Sequence, residues 1–420
     1  MARDFQAVKG MRDLLPPETA LWAAIEALAR RIFTTYGFEE IRTPIVEETE
    51  LFVRSVGEST DIVGKEMYSF EDRKGRSLSL RPESTASVVR SFVQHGMQNA
   101  GLPRKLYYIG PQFRYERPQK GRYRQFHQIG AELLGDPGPE SDAEVVLMLS
   151  RFLSELGFEG LVVRLNTVGE AESRSNYRRA LVAYLMPRSS GLSQDSQRRL
   201  KENPLRVLDS KSPQDREMLA GAPILWDSLT TASRQHFDRV QELLTRAGVA
   251  FEIDPHLVRG LDYYTRTVFE IVSEDLGAQD AIVGGGRYDD LVSSLGGPDL
   301  PAIGFAIGED RLIEVLPGSF VKQARLPAPI FVIPVGAVPG GEALDVAESL
   351  RSGGLHVETE LTGRSMKAAL KRADRSGARW VLLIGDDEVG SGTVTIRDLN
   401  RGEQQQVPRS EIVSHMEKRN

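Results

Sequence analysis

Three arginines stand where structure alone gives little reason for a cation. Arg114 closes the aromatic-rich run LYYIGPQFR and opens a loop with Arg117, Lys120, Arg122 and Arg124, so five cations fall within eleven residues. Arg311 lies in the first turn of a helix expected to open at Gly308, where the helix dipole favours Glu309 and Asp310 and disfavours a cation. A helix start behind GFAIG is a natural anion site, and an arginine there would reinforce it. Arg259 lies in HLVRGLDYYTR, followed by Gly260 and two tyrosines. A guanidinium is permanently charged and forks onto carboxylate or phosphate. Each arginine alone reads as a surface ion pair. The three together, each beside a glycine or a pocket-like face, point to a polyphosphate substrate.

The acidic and amide residues nearby point to a second ligand. In RQFHQIGAELL, period-two alternation puts Phe126, Gln128, Gly130 and Glu132 on one face and His127, Ile129, Ala131 and Leu133 on the other. The second face reads as core; the first, an amide and a carboxylate beside a glycine, reads as a pocket floor. RPEST, from Arg81 to Thr85, precedes an apolar helix. It reads either as a cap through Ser84 or Thr85, or as Glu83 and Thr85 facing a ligand ammonium group. GGGRYDDL, from Gly284 to Leu291, lacks the GxGxxG spacing of a dinucleotide site, and no P-loop GxxxxGK[ST] occurs. Its glycines read as a tight strand-to-helix turn or as a wall that a ligand approaches closely.

Composition bounds the setting. The 420 residues suggest two or three domains. A hydrophobic fraction of 40% with 27% charged residues describes an ordinary globular chain. No apolar run approaches membrane-spanning length, and the start MARDFQAVKGMRDLLPPE lacks the apolar stretch of a signal peptide. With no cysteine, thiol catalysis, disulfides and thiolate metal sites are excluded. The six histidines have no ligand spacing such as HExxH, so no resident metal is expected. A formal charge of -6 argues against a protein that coats nucleic acid but permits a local basic patch. These features read as a cytoplasmic enzyme.

The elements that must position these residues follow from periodicity. A helix is expected from Pro17 to Tyr36 on the stripe Leu21, Trp22, Ile25, Leu28, Ala29, Ile32, Phe33 and Tyr36. FEEIRTPIVEETELFVRS reads as extended around Pro44, helices as roughly 83–98 and 141–156, and 103–135 as a hairpin around YERPQKGRY. From about 170 to 245 the chain is helical, polar and arginine-rich, which reads as a helical insertion over about 170–230. Strands resume at YTRTVFEIVS, AIVGGGRYDD and AIGFAIGEDRLIEVL, the last running into a helix. Pro317 to Pro329 reads as a linker. The remainder alternates β and α, which predicts a small α/β domain over 328–420 with a parallel sheet core, beside a first domain over 1–325.

Taken together these segments resemble a class II aminoacyl-tRNA synthetase, and specifically the histidyl-tRNA synthetase family. FEEIRTPIVEETELF, FRYERPQKGRYRQFHQIGAE and AIGFAIGEDRL are similar to class II motifs 1, 2 and 3; LVRGLDYYTRTVFE and GGGRYDDL resemble the two signature peptides of the histidine enzyme. The resemblance spans essentially the whole chain. It implies an α+β fold: a class II antiparallel-sheet catalytic domain with the helical insertion, then an α/β anticodon-binding domain. It implies a homodimer through motif 1, and the ligation of histidine to tRNA-His with ATP as substrate and Mg2+ bridging its phosphates.

By the same resemblance, Arg114 holds the α-phosphate, Arg311 the γ-phosphate, and Arg259 the charge that builds on the α-phosphate. Glu116 lies near the adenine, with Arg122 also on ATP. Glu83, Thr85 and Gln128 bind the histidine ammonium group, Glu132 and Tyr264 the imidazole, and Tyr263 and Tyr288 complete walls that Arg114 and Arg259 border. Arg117, Gln119 and Lys120 face the tRNA acceptor end. Ser84 stands where the family usually has glycine, which puts close packing there in question. In the last domain, Arg364, Lys367, Lys371 and Arg375 share one helix face, readable as solvated or as an RNA contact, since residues 328–420 carry 12 basic and 13 acidic side chains. Two alternatives remain: the catalytically silent paralogue that regulates ATP phosphoribosyltransferase, and a synthetase for another amino acid of the same subclass.

Overall fold

The apolar stripe near the N-terminus forms α1 (Glu18–Thr35), with Pro17 at the N-cap position and Gly37 at φ +80° just beyond its end. Its buried face is Trp22, Ile25, Ala29, Ile32 and Phe33. Phe33 meets Tyr107, Phe152 and Phe305 at ring distances of 5.6, 5.8 and 5.7 Å, so one aromatic joins the helix to the sheet and to a second helix. The computed structural model describes residues 5–57, 60–119, 121–208, 210, 212–257, 261, 263–273, 281–324, 327–336 and 340–419. It comprises two compact units, Met1–Ala324 and Arg325–Asn420.

In the first unit, α1 is followed by β1 (Glu39–Glu40), β2 (Val46–Glu48) and α2 (Thr49–Val56), then β3 (Tyr68–Glu71), β4 (Ser77–Leu80), α3 (Thr85–Gln94), β5 (Arg104–Phe113) and β6 (Gln125–Leu134). Next come α4 (Pro139–Glu155), β7 (Leu161–Thr167), α5 (Ala171–Leu185), α6 (Gln194–Glu202), α7 (Pro213–Leu219), α8 (Thr231–Arg246) and β8 (Phe251–Ile253). The unit closes with β9 (Thr265–Ser273), β10 (Val283–Arg287), α9 (Leu291–Ser294), β11 (Ala302–Gly308), α10 (Glu309–Glu314) and α11 (Gly318–Gln323).

Eight strands form one sheet in the order β1-β5-β6-β11-β10-β9-β7-β8, antiparallel throughout except for the two outermost pairs. Helices α1, α4 and α8 pack on one face of it through Phe33, Val146, Phe152, Phe237 and Leu244 against Ile129, Ala131, Leu133, Phe269 and Phe305. The alternation of β6 therefore sends its apolar residues to this core. The other face carries the polar residues and glycines, and α3 and α9 cover it at one end through Val88, Phe92 and Val292. The histidine-free loop between β5 and β6 is the hairpin tip expected from Pro118 and Gly121.

Several expectations are corrected. ELFVRS is helical, not extended, because Phe52, Ser55 and Val56 recur at helical spacing and bury one face of α2. The helix expected over 83–98 is shorter, since Gly96 at φ +58° separates α3 from a 3-10 turn at Met97–Ala100. Within 170–230, α5, α6 and α7 gather around a core of their own that includes Tyr177, Leu181, Leu200 and Leu219. Helix α8 belongs instead to the main core. Part of the expected linker is α11.

The second unit has a five-stranded sheet, β13-β12-β14-β15-β16, built from β12 (Ile330–Pro334), β13 (Val357–Thr359), β14 (Trp380–Ile384), β15 (Thr393–Asp398) and β16 (Gln404–Pro408). The expected parallel core is β13, β12 and β14; β15 and β16 extend it with antiparallel strands, which the alternation of β and α does not anticipate. The polar sequence of β16 hid it, because as an edge strand it buries only Val407. The helix of the basic cluster spans Met366–Arg375 and buries Ala369 and Ala373, so Arg364 precedes the helix and does not share its face.

A fully buried ion pair locks the end of β10. Arg287 donates through Nε to Asp142 at 3.0 Å, through Nη1 to the Asp136 carbonyl at 2.9 Å, and through Nη2 to the Gly138 carbonyl and Ser141 Oγ at 3.0 Å each. Asp142 also bonds to His236 at 2.8 Å, which brings α8 into the node. Burial raises the Asp142 carboxyl, but the Arg287 guanidinium and the hydrogen bond with His236 outweigh it and hold the carboxyl below its usual range. Replacing Arg287 with Met should cost about 3–5 kcal/mol, because it strands a buried carboxylate. Chemical denaturation would read this, and an unchanged unfolding midpoint would refute it.

Candidate active site

The site is built on the polar face of β6. Gln128 pairs with Gly110 of β5 and Gly308 of β11, and Glu132 pairs with Leu106 and Gly304. Glu132 is wholly buried. Gly304 is glycine for a steric reason, since a Cβ there would lie 1.7 Å from Glu132 Oε2. Gly286 does the same for a tyrosine: a Cβ would come within 2.8 Å of Tyr264 Cδ1. The GGGR glycines thus lie inside β10, as a wall, and the turn comes only after Tyr288.

RPEST supplies the facing side. Glu83, and neither Ser84 nor Thr85, caps α3: its carboxylate accepts the backbone N–H of Thr85 at 2.7 Å and of Ala86 at 2.9 Å. That corrects the expected cap and leaves the Thr85 hydroxyl available to donate to Glu132 Oε1 at 2.7 Å. The Tyr288 hydroxyl donates to Glu132 Oε2. Ser84 fits without glycine, at φ -110°, buried, its hydroxyl accepting the Gln112 amide at 2.7 Å. Tyr263 meets Tyr264 at 4.8 Å and Tyr288 at 5.5 Å, forming the aromatic wall.

Burial dominates the electrostatics of this pocket. It pushes the Glu132 carboxyl up to about 8, against the opposing hydrogen bonds from Tyr288 and Thr85. Burial also raises Glu83, and it lifts Tyr108, Tyr263 and Tyr288 well above the usual phenol value. Burial therefore favours the protonated form of Glu132 near neutral pH.

Along the same strand lies a second cavity of about 350 Å³, lined by Arg114, Glu116, Arg122, Tyr123, Phe126, Gln128, Glu270, Gly284 and Arg311 among others. Arg114 is anchored by Nε to the Pro82 carbonyl at 2.9 Å and stacks over Phe126 at 5.3 Å. Glu116 sits between Arg114 at 3.9 Å and Arg122 at 3.6 Å. Cations, a carboxylate, an aromatic face and backbone glycine suit a polyphosphate attached to a planar base. Arg117 and Gln119 are exposed on the hairpin loop. Lys120 and Arg259 lie outside the described residues.

The structure thus brings Glu83, Thr85, Glu132, Tyr263, Tyr264 and Tyr288 into one pocket, and Arg114, Glu116, Arg122, Gln128 and Arg311 around another. Sequence reasoning missed Tyr123 and Glu270 as lining residues, and Gln112 as the partner of Ser84. Phe126 was legible on the pocket face of β6 but was not read as a ligand contact. Glu270 carried a signal too, since it follows the YTRTVF alternation.

The antiparallel sheet, the arginine-lined cavity and the buried carboxyl beside glycine are features that the class II synthetase resemblance calls for. The family model for histidyl-tRNA synthetase matches residues 10–312, and that for an anticodon binding domain matches residues 330–419. The chain is 51% identical to the histidine–tRNA ligase of Synechococcus elongatus over 97% of its own length and 94% of that protein. It is 50% identical to that of Halorhodospira halophila over 99% and 98%. The crystal structure of apo histidyl-tRNA synthetase from S. aureus superimposes with a TM-score of 0.81 at 34% identity, covering 98% of this chain and 99% of that one. The chain belongs to the histidyl-tRNA synthetase family.

The raised Glu132 value has a consequence for stability. Protonation favours the folded state, so its contribution is complete below the ordinary glutamate value and is lost as pH rises through about 8. Compared with Glu132→Gln, which carries no such proton, the wild type should lose a few kcal/mol between pH 5 and 9, at about 1.4 kcal/mol per unit. Parallel stability curves for the two proteins would contradict a buried, protonated Glu132.

Proposed function

We propose that this protein is a histidine–tRNA ligase that activates L-histidine with ATP and transfers it to tRNA-His. The observation that carries the reading is the division of one strand face, with Phe126 and Gln128 in the arginine-lined cavity and Glu132 in the tyrosine-walled pocket four residues on. Histidine and ATP would then meet along β6. A histidine carboxylate oxygen attacks the α-phosphorus, the bond to the β-phosphate oxygen breaks, and pyrophosphate leaves with its electron pair. The terminal ribose hydroxyl of the tRNA then attacks the acyl carbonyl and AMP departs.

Each residue has a proposed task. Glu132 and Tyr264 read the imidazole, whose two nitrogens each need a partner. Glu83, Thr85 and Gln128 receive the ammonium group. Arg114, Arg259 and Arg311 act on the phosphates, where oriented cations offset charge that develops during attack. Arg122 and Glu116 flank the nucleotide. No cluster of three metal-ligating side chains occurs among the described residues. A Mg2+ carried by the ATP phosphates needs only one or two carboxylates, and Glu270 in the cavity lining fits that need. Bound there it would neutralise the phosphate oxygens.

The exposed Arg117 and Gln119, with Lys120, would face the acceptor end of the tRNA. Lys367, Lys371 and Arg375, exposed on one side of the second unit's basic helix, would meet RNA phosphates. A homodimer is supported by exposed apolar residues in and beside the motif 1 segment: Ile45, just ahead of β2, and Val46 and Phe70 on the three-stranded β2-β4-β3 sheet. The absence among the described residues of any helix long and apolar enough to cross a membrane is compatible with a cytoplasmic site of action. The regulatory-subunit reading is less supported, since Glu83, Gln128, Glu132 and Arg259 are all retained.

Histidine-dependent exchange of pyrophosphate into ATP tests the assignment, and absence of exchange with histidine would sink it. Arg259→His should leave histidine binding nearly intact while cutting adenylate formation by roughly two to three orders of magnitude, as for loss of one oriented donor to developing charge. An unchanged exchange rate would remove Arg259 from the mechanism.

A further inference from the structure

We propose that Arg12, in the segment ahead of α1, is a positioning residue that holds the ATP cavity in its binding shape by clamping the hairpin loop to α10. This rests on the reading of that cavity as the ATP site. The guanidinium of Arg12 reaches three elements at once. It bonds Glu18 at the start of α1 through Nη1 at 3.1 Å and Nη2 at 2.8 Å, approaches Asp310 of α10 at 3.5 Å, and stacks 4.8 Å from the centre of the Tyr123 ring. Tyr123 and Arg311, the neighbour of Asp310, both line the cavity.

The other ends of these contacts lead back to the substrate strand. Asp310 Oδ2 accepts the backbone N–H of His127 at 2.8 Å, one residue before Gln128. Glu18 also accepts from Trp22 Nε1 at 3.3 Å, and the Trp22 ring meets His127 edge-on at 5.0 Å. Two residues before Arg12, the Gly10 carbonyl accepts the backbone N–H of Arg124 at 2.7 Å, while the Arg124 carbonyl accepts that of Arg114 at 2.9 Å. Gly10 is needed for this close passage, since it sits at φ +86° and a Cβ would lie 2.8 Å from Arg124 Cγ. The strap therefore grips the Arg124 leg of the hairpin base, which in turn bonds the Arg114 leg.

A loop with Pro118 and Gly121 at its tip would otherwise lose conformational freedom when ATP ordered it. With the loop held beforehand, that loss falls on folding and not on binding. The site uses arginine because one planar group can stack on Tyr123 and fork onto Glu18 together; lysine can supply the charge alone. Its contacts are with the hairpin, α1 and α10 and reach the histidine side only indirectly, through His127 beside Gln128, so its loss should weaken ATP binding far more than histidine binding.

The test is ATP affinity against histidine affinity in Arg12→Ala and Arg12→Lys, by exchange kinetics and by calorimetric titration of ATP into the free protein. Arg12→Ala should raise the ATP KM and Kd about tenfold, keep the histidine KM within about twofold, and Arg12→Lys should fall between Arg12→Ala and the wild type. An unchanged ATP Kd, an equal rise in both KM values, or a lysine variant no better than alanine would overturn the proposal. If Arg12→Ala does not fold, Arg12→Lys against the wild type decides alone: weaker ATP binding with unchanged histidine KM supports it, and unchanged ATP binding refutes it. Should the wild type show no histidine-dependent exchange, the ligase reading fails, and the calorimetric comparison still judges Arg12.

Discussion

A carboxyl group with no exposure to water sits in the middle of an eight-stranded sheet, and much of the first unit is arranged around it. Glu132 can occupy that position only if its neighbours leave room and offer hydrogen bonds. Room comes from Gly304 directly across the strand pair; the bonds come from Thr85 at the start of α3 and Tyr288 at the end of β10. Each donor must in turn be held. Glu83 fixes the first turn of α3 by accepting its backbone N–H groups, and Arg287 anchors the end of β10 in a saturated buried node. A single buried acid thus ties together a cap, a glycine wall and an ion pair far apart in the chain.

Around the site, arginines of two physical classes lie side by side, and sequence position does not separate them. Arg81 and Arg287 are buried and spend their donors on carbonyls, hydroxyls and carboxylates. Arg81 bonds the Pro111 carbonyl at 2.9 Å and both the carbonyl and hydroxyl of Thr43 at 3.0 Å, joining the Pro44 segment to the hairpin. Arg114, Arg122 and Arg311 line an open cavity and remain partly exposed. The first class organises the backbone; the second faces the space where an anion would sit. The -6 net charge of the chain is no obstacle to such a site, because the cations are concentrated in one concave region.

The folding pattern also explains which expectations failed. The ELFVRS segment reads as extended from its local composition, and the Gln404–Pro408 strand gives no strand signal at all. In the first, a neighbouring core buries one helical face; in the second, an edge position makes a nearly all-polar strand stable. The Ser84 position shows the converse. A residue that departs from the family pattern is accommodated because the backbone there needs no positive φ and Gln112 satisfies the hydroxyl.

From the sequence alone came the helix α1, the hairpin, the division of β6 into an apolar and a polar face, and the residue types of both pockets. These follow from local periodicity, which acts over a few residues and is written directly in the chain. Membership of a synthetase family was likewise readable in LVRGLDYYTRTVFE and GGGRYDDL. Tertiary structure decided what each polar group is bonded to: that Glu83 caps a helix, that Arg287 is buried scaffold, and that Gly304 yields space to Glu132. It also decided that an N-terminal segment reaches the hairpin base. Apart from the Glu83 cap, which reaches only to Thr85 and Ala86, such pairings join residues more than 100 positions apart, and hydrogen-bond satisfaction and burial are properties of the packed interior that no local pattern carries.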